Sequence, residues 1–182
     1  MNLANKVTIA RIIMIPFFVS SIIYARMDLA LLFFAIAIIT DGVDGFIART
    51  RNQKTQLGTI LDPVADKLLL MSAFICLSIV KSVPDGIRLP PYVPIVVISR
   101  DAIIVLGSIL VYVIRGSLKV APSVVGKITT FFQMMTIVSI LVLFPHSYIV
   151  WNIAVVLTVI SGIDYVIKGS RLLSDNHLTA KG

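Results

Sequence analysis

Asp41-Gly42-Val43-Asp44-Gly45-Phe46-Ile47-Ala48-Arg49, then eight residues, then Gly58-Thr59-Ile60-Leu61-Asp62-Pro63-Val64-Ala65-Asp66, sets four carboxylates between two apolar runs. The first pair ends the run Leu29 to Thr40, and the second pair opens the run Leu68 to Val80. An ionisable side chain at membrane depth is costly unless paired, so acids in such a place mark a function. These four have no His or Cys beside them and form an oxygen-only donor set. That suits a hard divalent cation such as Mg²⁺, Mn²⁺ or Ca²⁺, and not zinc or copper.

The runs on either side belong to a chain of 182 residues that is 58% hydrophobic, with a mean hydropathy of +1.00. A soluble domain of this size does not need so much apolar surface, so the composition reads as a polytopic membrane protein. Six candidate spans follow: Val7–Ala25, Leu29–Ala48, Thr59–Lys81, Tyr92–Arg115, Ser123–Phe144 and Tyr148–Ile167. The expected fold is an all-α membrane protein, a six-transmembrane-helix bundle. Residues 1–170 form the membrane domain, and residues 171–182 a short cytoplasmic tail whose apolar periodicity ends near Ser170. Short loops leave no room for a soluble domain. The first run lacks a small-residue cleavage site and reads as a retained span. Pro16, Pro94 and Pro122 read as kinks or helix starts.

Lys and Arg number 16 against 9 acids, giving a net charge of +7. In the six-span topology Lys6, Arg11, Arg49, Arg51, Lys54, Arg115, Lys119, Lys127, Lys168, Arg171 and Lys181 fall on one side. Arg26, Lys81 and Arg88 fall on the other. The positive-inside rule then puts both termini in the cytoplasm and opens the acidic site toward it. The expected location is the cytoplasmic (inner) membrane, multi-pass. Topology and anionic headgroups account for the basic charge. Nucleic acid is not an expected partner, because no basic domain exists to carry it. The lone Cys76 gives no disulfide and reads as packing.

On a helix, residues three or four apart share a face. Asp41 and Asp44 are so spaced, as are Asp62 and Asp66, and the short connection makes their helices antiparallel neighbours. Gly45 and Gly58 sit one turn from an acid and allow close approach of a helix or a bulky anion. Arg49 adds a planar donor for phosphate oxygens. Four carboxylates are neutralised by two divalent ions, and a two-ion clamp serves in-line displacement at phosphorus. The plainer alternative is salt bridging to nearby bases.

The spacing Asp41-x2-Asp44-Gly45-x2-Ala48-Arg49-x8-Gly58-x3-Asp62-x3-Asp66 resembles the CDP-alcohol phosphotransferase signature at every position, over 26 residues. Six spans, with the acid pairs on the second and third, extend the resemblance to the whole chain. It implies that Asp41, Asp44, Asp62 and Asp66 bind two divalent cations, Mg²⁺ or Mn²⁺. It also implies that Gly45, Ala48, Arg49 and Gly58 receive the CDP-lipid, that Asp66 is the general base, and that the protein is a homodimer. The implied reaction is attack by an acceptor hydroxyl on the phosphorus bearing diacylglycerol in CDP-diacylglycerol, with CMP leaving.

The acceptor is read elsewhere. Arg100 lies about ten residues into the fourth span, where a lone Arg should face a cavity. Asp101 follows it, but adjacent helical residues point apart and need not pair. Lys127 enters the fifth span after Gly126, with Lys119 close by. Arg100, Lys127 and Lys119 together would form an anion pocket for an acceptor carrying phosphate, such as glycerol 3-phosphate. For the two lysines, membrane anchoring is the alternative. Asn5, Thr8 and Arg11 lie three apart at the start of the first span. They either touch nucleotide or lipid phosphate, or cap and anchor the helix.

Asn5 to Arg11, Ser99-Arg100 and Gly126 to Thr130 also resemble phosphatidylglycerophosphate synthases, a branch of that family. Arg100-Asp101 departs from the Arg-Glu common there and is closer to CMP-forming cardiolipin synthases, whose acceptor is phosphatidylglycerol. An inositol-phosphate or serine acceptor is a more distant alternative. Asp164 in the sixth span is a further costly acid, with only a possible neighbouring base as partner. A cation-coupled transporter is the reading from another class. Against it, no internal repeat is visible and the acids gather at one face.

Overall fold

The computed structural model describes residues 3–51, 56–81, 83–115 and 123–174, with side chains at 8–40, 64–81, 83–111, 113 and 123–170. Each candidate span overlaps one helix: α1 Leu3–Ile23, α2 Met27–Arg51, α3 Gln56–Ile79, α4 Tyr92–Arg115, α5 Val124–Leu141 and α6 Ser147–Ser174. The spans read as Val7–Ala25, Thr59–Lys81 and Ser123–Phe144 run a few residues past their helices. No strand occurs among the described residues. The protein is all-α, as its continuous apolar runs require.

Three described segments are long and apolar enough to cross a membrane: Tyr92–Val111, Val124–Leu141 and Ser147–Ser170. Thr8–Ile23 and Met27–Thr40 are shorter apolar stretches. The C-terminal boundary also differs from expectation. α6 continues to Ser174, past the expected start of a tail near Ser170. A formed helix adds one backbone hydrogen bond per residue, and Arg171, Leu172 and Leu173 are good helix formers, so it outruns its apolar segment.

The chain divides into two compact units. In the first, Met1–Leu89 with Ile137–Ser147, α1 packs on both α2 and α3. Phe18 stacks on Phe34 with ring centroids 5.8 Å apart, and both are fully buried. Ala30, Ala37, Ala65 and Ala73 are also buried, small residues that let helix backbones approach. Pro16 lies inside α1, where neighbouring helices tolerate the missing N–H.

Two helices of this unit end alike. Ala25 has φ 59° and Leu143 φ 54°. Arg26 N donates to Ser21 O at 2.8 Å and Phe144 N to Ser139 O at 2.9 Å, the long bond of a Schellman cap. The left-handed residue then ends α1 at Ile23 and α5 at Leu141.

The second unit, Pro90–Thr136 with Tyr148–Gly182, holds α4, most of α5 and most of α6. Its interior is partly polar. Gln133 Nε2 donates to Thr158 Oγ1 at 3.1 Å, and Thr129 Oγ1 donates to the Leu157 carbonyl at 3.1 Å. At the exposed surface, Tyr92 Oη donates to Asn152 Oδ1 at 3.2 Å. In an apolar surrounding such side-chain bonds tie helices together where hydrophobic burial does not discriminate.

Candidate active site

Asp41, Asp44, Gly45, Ala48 and Arg49 lie on the last turns of α2, and Gly58, Asp62 and Asp66 on the first turns of α3. The acid pairs are thus carried by consecutive helices, each pair at helical spacing. The side chains of Asp41, Asp44, Ala48, Arg49, Asp62 and Asn5, and the surroundings of Gly45 and Gly58, lie outside the described residues. So does Lys119.

Asp66 is described, and it brings α1 into the site. Arg11 Nη1 donates to Asp66 Oδ1 in an ion pair. The Arg11 side chain is 2% exposed and that of Asp66 36% exposed. The packing of α1 on α3 makes this possible: Arg11 lies on the first turns of one helix and Asp66 on the early turns of the other. Thr8, one turn before Arg11, is also buried. Of the two sequence-level options for Arg11, phosphate contact or anchoring, neither anticipated a carboxylate partner. The signal was only its 3-residue spacing from Thr8, which says nothing about the helix across from it.

A second cluster lies in the other unit. Arg100 is buried, Nη1 donates to Asp101 Oδ1 at 2.8 Å, and Nη2 donates to Ser161 Oγ at 2.5 Å. The guanidinium carbon lies 5.7 Å from the centre of the Tyr165 ring. Arg100 and Asp101 therefore pair, which the sequence leaves open for adjacent helical residues. Their Cβ atoms do diverge, but the arginine stem is long enough to fold back, and burial of both groups rewards charge neutralisation. Arg100 Nε has no hydrogen-bond partner among the described residues.

Gly126 stands against this arginine: a Cβ there would lie 3.2 Å from Arg100 Nη2. Lys127 follows it in the first turn of α5, with an exposed side chain. The structure thus brings the Gly126-Lys127 segment to Arg100. Ser123 caps α5, accepting from Gly126 N at 3.4 Å while donating to Asp164 Oδ2 at 2.9 Å. Lys168 Nζ lies 2.7 Å from the same Asp164 oxygen. Asp164 therefore has partners of two kinds, a base on its own helix and the cap of the preceding one. An apolar cavity of about 240 Å³ between α4 and α6, lined by Ile103, Gly107, Leu110, Tyr165 and Val166, shares Tyr165 with the arginine cluster.

By residue type the four signature acids offer carboxylate oxygens and no sulfur or imidazole, which suits hard divalent cations. Asp66 is the one of them whose side chain is described, and no group of three such ligands gathers among the described residues. The second cluster offers fixed N–H donors and a nearby lysine, which suits an anion.

Residues 1–160 match the CDP-alcohol phosphatidyltransferase family. A Bacillus subtilis (strain 168) protein named CDP-diacylglycerol–glycerol-3-phosphate 3-phosphatidyltransferase is 36% identical over 200 residues, covering 97% of this chain and 99% of its own length. A Rickettsia bellii protein of the same name is 38% identical over 180 residues, covering 90% and 93%. A probable phosphatidylglycerophosphate synthase of Mycobacterium tuberculosis (strain H37Rv) is 33% identical over 190 residues, covering 98% and 87%. With its complete aspartate signature carried on two successive helices, the chain belongs to the CDP-alcohol phosphatidyltransferase family.

Proposed function

We propose that this protein transfers the phosphatidyl group of CDP-diacylglycerol to glycerol 3-phosphate, forming phosphatidylglycerophosphate and releasing CMP. The observation that carries the reading is the unbroken signature from Asp41 to Asp66, in a chain whose full-length relatives bear that activity in their names.

Asp41, Asp44, Asp62 and Asp66 would hold two divalent cations, Mg²⁺ or Mn²⁺. Bound there, the ions supply charge neutralisation for the pyrophosphate and the departing CMP. Gly45, Ala48 and Gly58 would leave room for the CDP-lipid, Arg49 would donate to its phosphate oxygens, and Asn5 and Thr8 of α1 would add contacts to it. Asp66 takes the proton of the acceptor hydroxyl. That oxygen bonds to the phosphorus bearing diacylglycerol, the bond from this phosphorus to the pyrophosphate bridging oxygen breaks, and CMP departs. Arg11 orients the Asp66 carboxylate for this task. Arg100, Lys127 and Lys119 receive the acceptor phosphate, with Arg100 Nε as a buried donor still lacking a partner.

The enzyme is a homodimer of six-span subunits in the cytoplasmic membrane, with both termini and the site on the cytoplasmic face. The basic asymmetry of the loops supports that orientation.

Purified protein given CDP-diacylglycerol and a panel of acceptors tests the reading by lipid mass spectrometry. Phosphatidylglycerophosphate should form with glycerol 3-phosphate, stop in EDTA and return with Mg²⁺ or Mn²⁺. Cardiolipin from phosphatidylglycerol, with glycerol 3-phosphate inert, would transfer the assignment to the cardiolipin-forming alternative that Arg100-Asp101 favours.

A further inference from the structure

The Arg100 guanidinium is held by three helices. Its own helix α4 supplies Asp101, which takes Nη1 at 2.8 Å. From α6 come Ser161, which takes Nη2 at 2.5 Å, and Tyr165, 5.7 Å from the guanidinium carbon to the ring centre. From α5 comes an absence of bulk. A Cβ on Gly126 would lie 3.2 Å from Nη2, 3.6 Å from Tyr165 Cε2 and 3.8 Å from Ser161 Oγ. Gly162 on α6 gives similar room to the stem, 3.5 Å from Arg100 Cγ. Ser161 is fully buried.

Asp101 alone would let the guanidinium swing about its Nη1 contact. Ser161 supplies the second fixed point, and Gly126 leaves Nη2 space to reach it. The remaining Nε–H, buried and without a partner among the described residues, is then aimed in one direction. An unsatisfied buried donor is costly, and a phosphate oxygen would satisfy it. Because the side chain is already immobile, binding need not order it.

We infer that Ser161 and Gly126 are positioning residues for acceptor use: Ser161 Oγ anchors Arg100 Nη2, and the missing Cβ of Gly126 keeps that anchor in reach. This rests on the reading in which Arg100 receives the acceptor phosphate. Neither residue need touch substrate; both act through the arginine.

The test is a set of steady-state measurements on the full-length enzyme in detergent micelles, varying glycerol 3-phosphate and CDP-diacylglycerol separately. Ser161→Ala removes the anchor, and Gly126→Ala crowds Nη2 beside it. Each should raise the KM for glycerol 3-phosphate about tenfold, the size of a hydrogen bond to a charged group. The KM for CDP-diacylglycerol should stay within twofold. Ser161→Thr, which keeps the hydroxyl, should recover most of the loss. In an Arg100→Ala background, Ser161→Ala should add nothing, because the two act as a unit. An acceptor KM that rises for Arg100→Ala but not for Ser161→Ala or Gly126→Ala would overturn the positioning role and leave the Arg100 reading standing. An acceptor KM unmoved by Arg100→Ala would overturn both. Equal rises in the two KM values would also overturn the positioning role, since general loosening of the fold predicts them.

Discussion

Arg11 and Arg100 are both buried guanidiniums on apolar helices, and each resolves its desolvation cost through a carboxylate. They differ in what the carboxylate does next. Asp101 belongs to no signature position and neutralises Arg100 locally. Asp66 is a signature position, so Arg11 ties the first helix to the carboxylate proposed as the general base. Arg11→Ala would leave Asp66 without its paired base in a partly buried place. A charge-assisted hydrogen bond there contributes about 1.5–3 kcal/mol. We therefore expect CMP release to fall at least tenfold, with a lowered Tm, while Arg11→Lys restores part of both. A variant with parental turnover and melting would show the pair to be incidental. Lys cannot restore everything, since its point charge does not reproduce the planar fork. Spacing along α1 reveals that Thr8 and Arg11 share a face. Which carboxylate lies opposite depends on the packing of α1 against α3.

At the level of elements, the ends and seams of the helices show different degrees of legibility. Apolar runs mark where α1 to α6 lie. The stop signals of α1 and α5 are less plain, because Ala25 and Leu143 occupy left-handed positions where glycine is usual. The seam between α5 and α6 is hidden in the sequence as ordinary Thr, Gln and Ser within hydrophobic stretches. Gln133 is fully buried there, with Nε2 on Thr158 and Oε1 without a partner among the described residues. Thr158 Oγ1 has its own bond, donated to the Ala154 carbonyl at 2.6 Å. Gln133→Leu therefore strands no donor and removes an unsatisfied acceptor of similar size. The expected result is a Tm equal to the parent or a few degrees higher, a gain of up to about 1 kcal/mol. Melting in detergent reads it directly, and a clear fall in Tm would mean that a water or lipid group completes the Gln133 bonds.

For the whole molecule, the orientation proposed from loop charge has its own consequence. In the proposed six-span topology an even number of spans would return the chain to its starting side, and the excess of Lys and Arg there would set it as cytoplasmic. Epitope tags at the two ends should both be cleaved by protease in inside-out vesicles, and both be protected in right-side-out ones. Opposite behaviour of the two tags would remove one span from the topology. The many exposed Ile, Leu, Val and Phe residues, Ile13, Phe17, Leu106, Val113 and Ile163 among them, fit a surface solvated by lipid. No comparable apolar surface would be left open in water.

By itself the sequence determined the helical fold, the approximate ends of the six helices and the family. Each of these follows from local rules: apolar length, helical spacing and the fixed intervals between Asp41 and Asp66. Only the tertiary structure decided the partners. Arg11 meets Asp66 across 55 residues, Arg100 meets Ser161 across 61, and Asp164 takes the Ser123 cap across 41. Arg100 also folds back on Asp101, its immediate neighbour, although their Cβ atoms diverge. The reason is physical. Spacing along one helix gives the direction in which a side chain leaves the backbone. Where a long charged side chain comes to rest is set by the nearest group able to satisfy it in a medium without water, and that group belongs to the packing of helices.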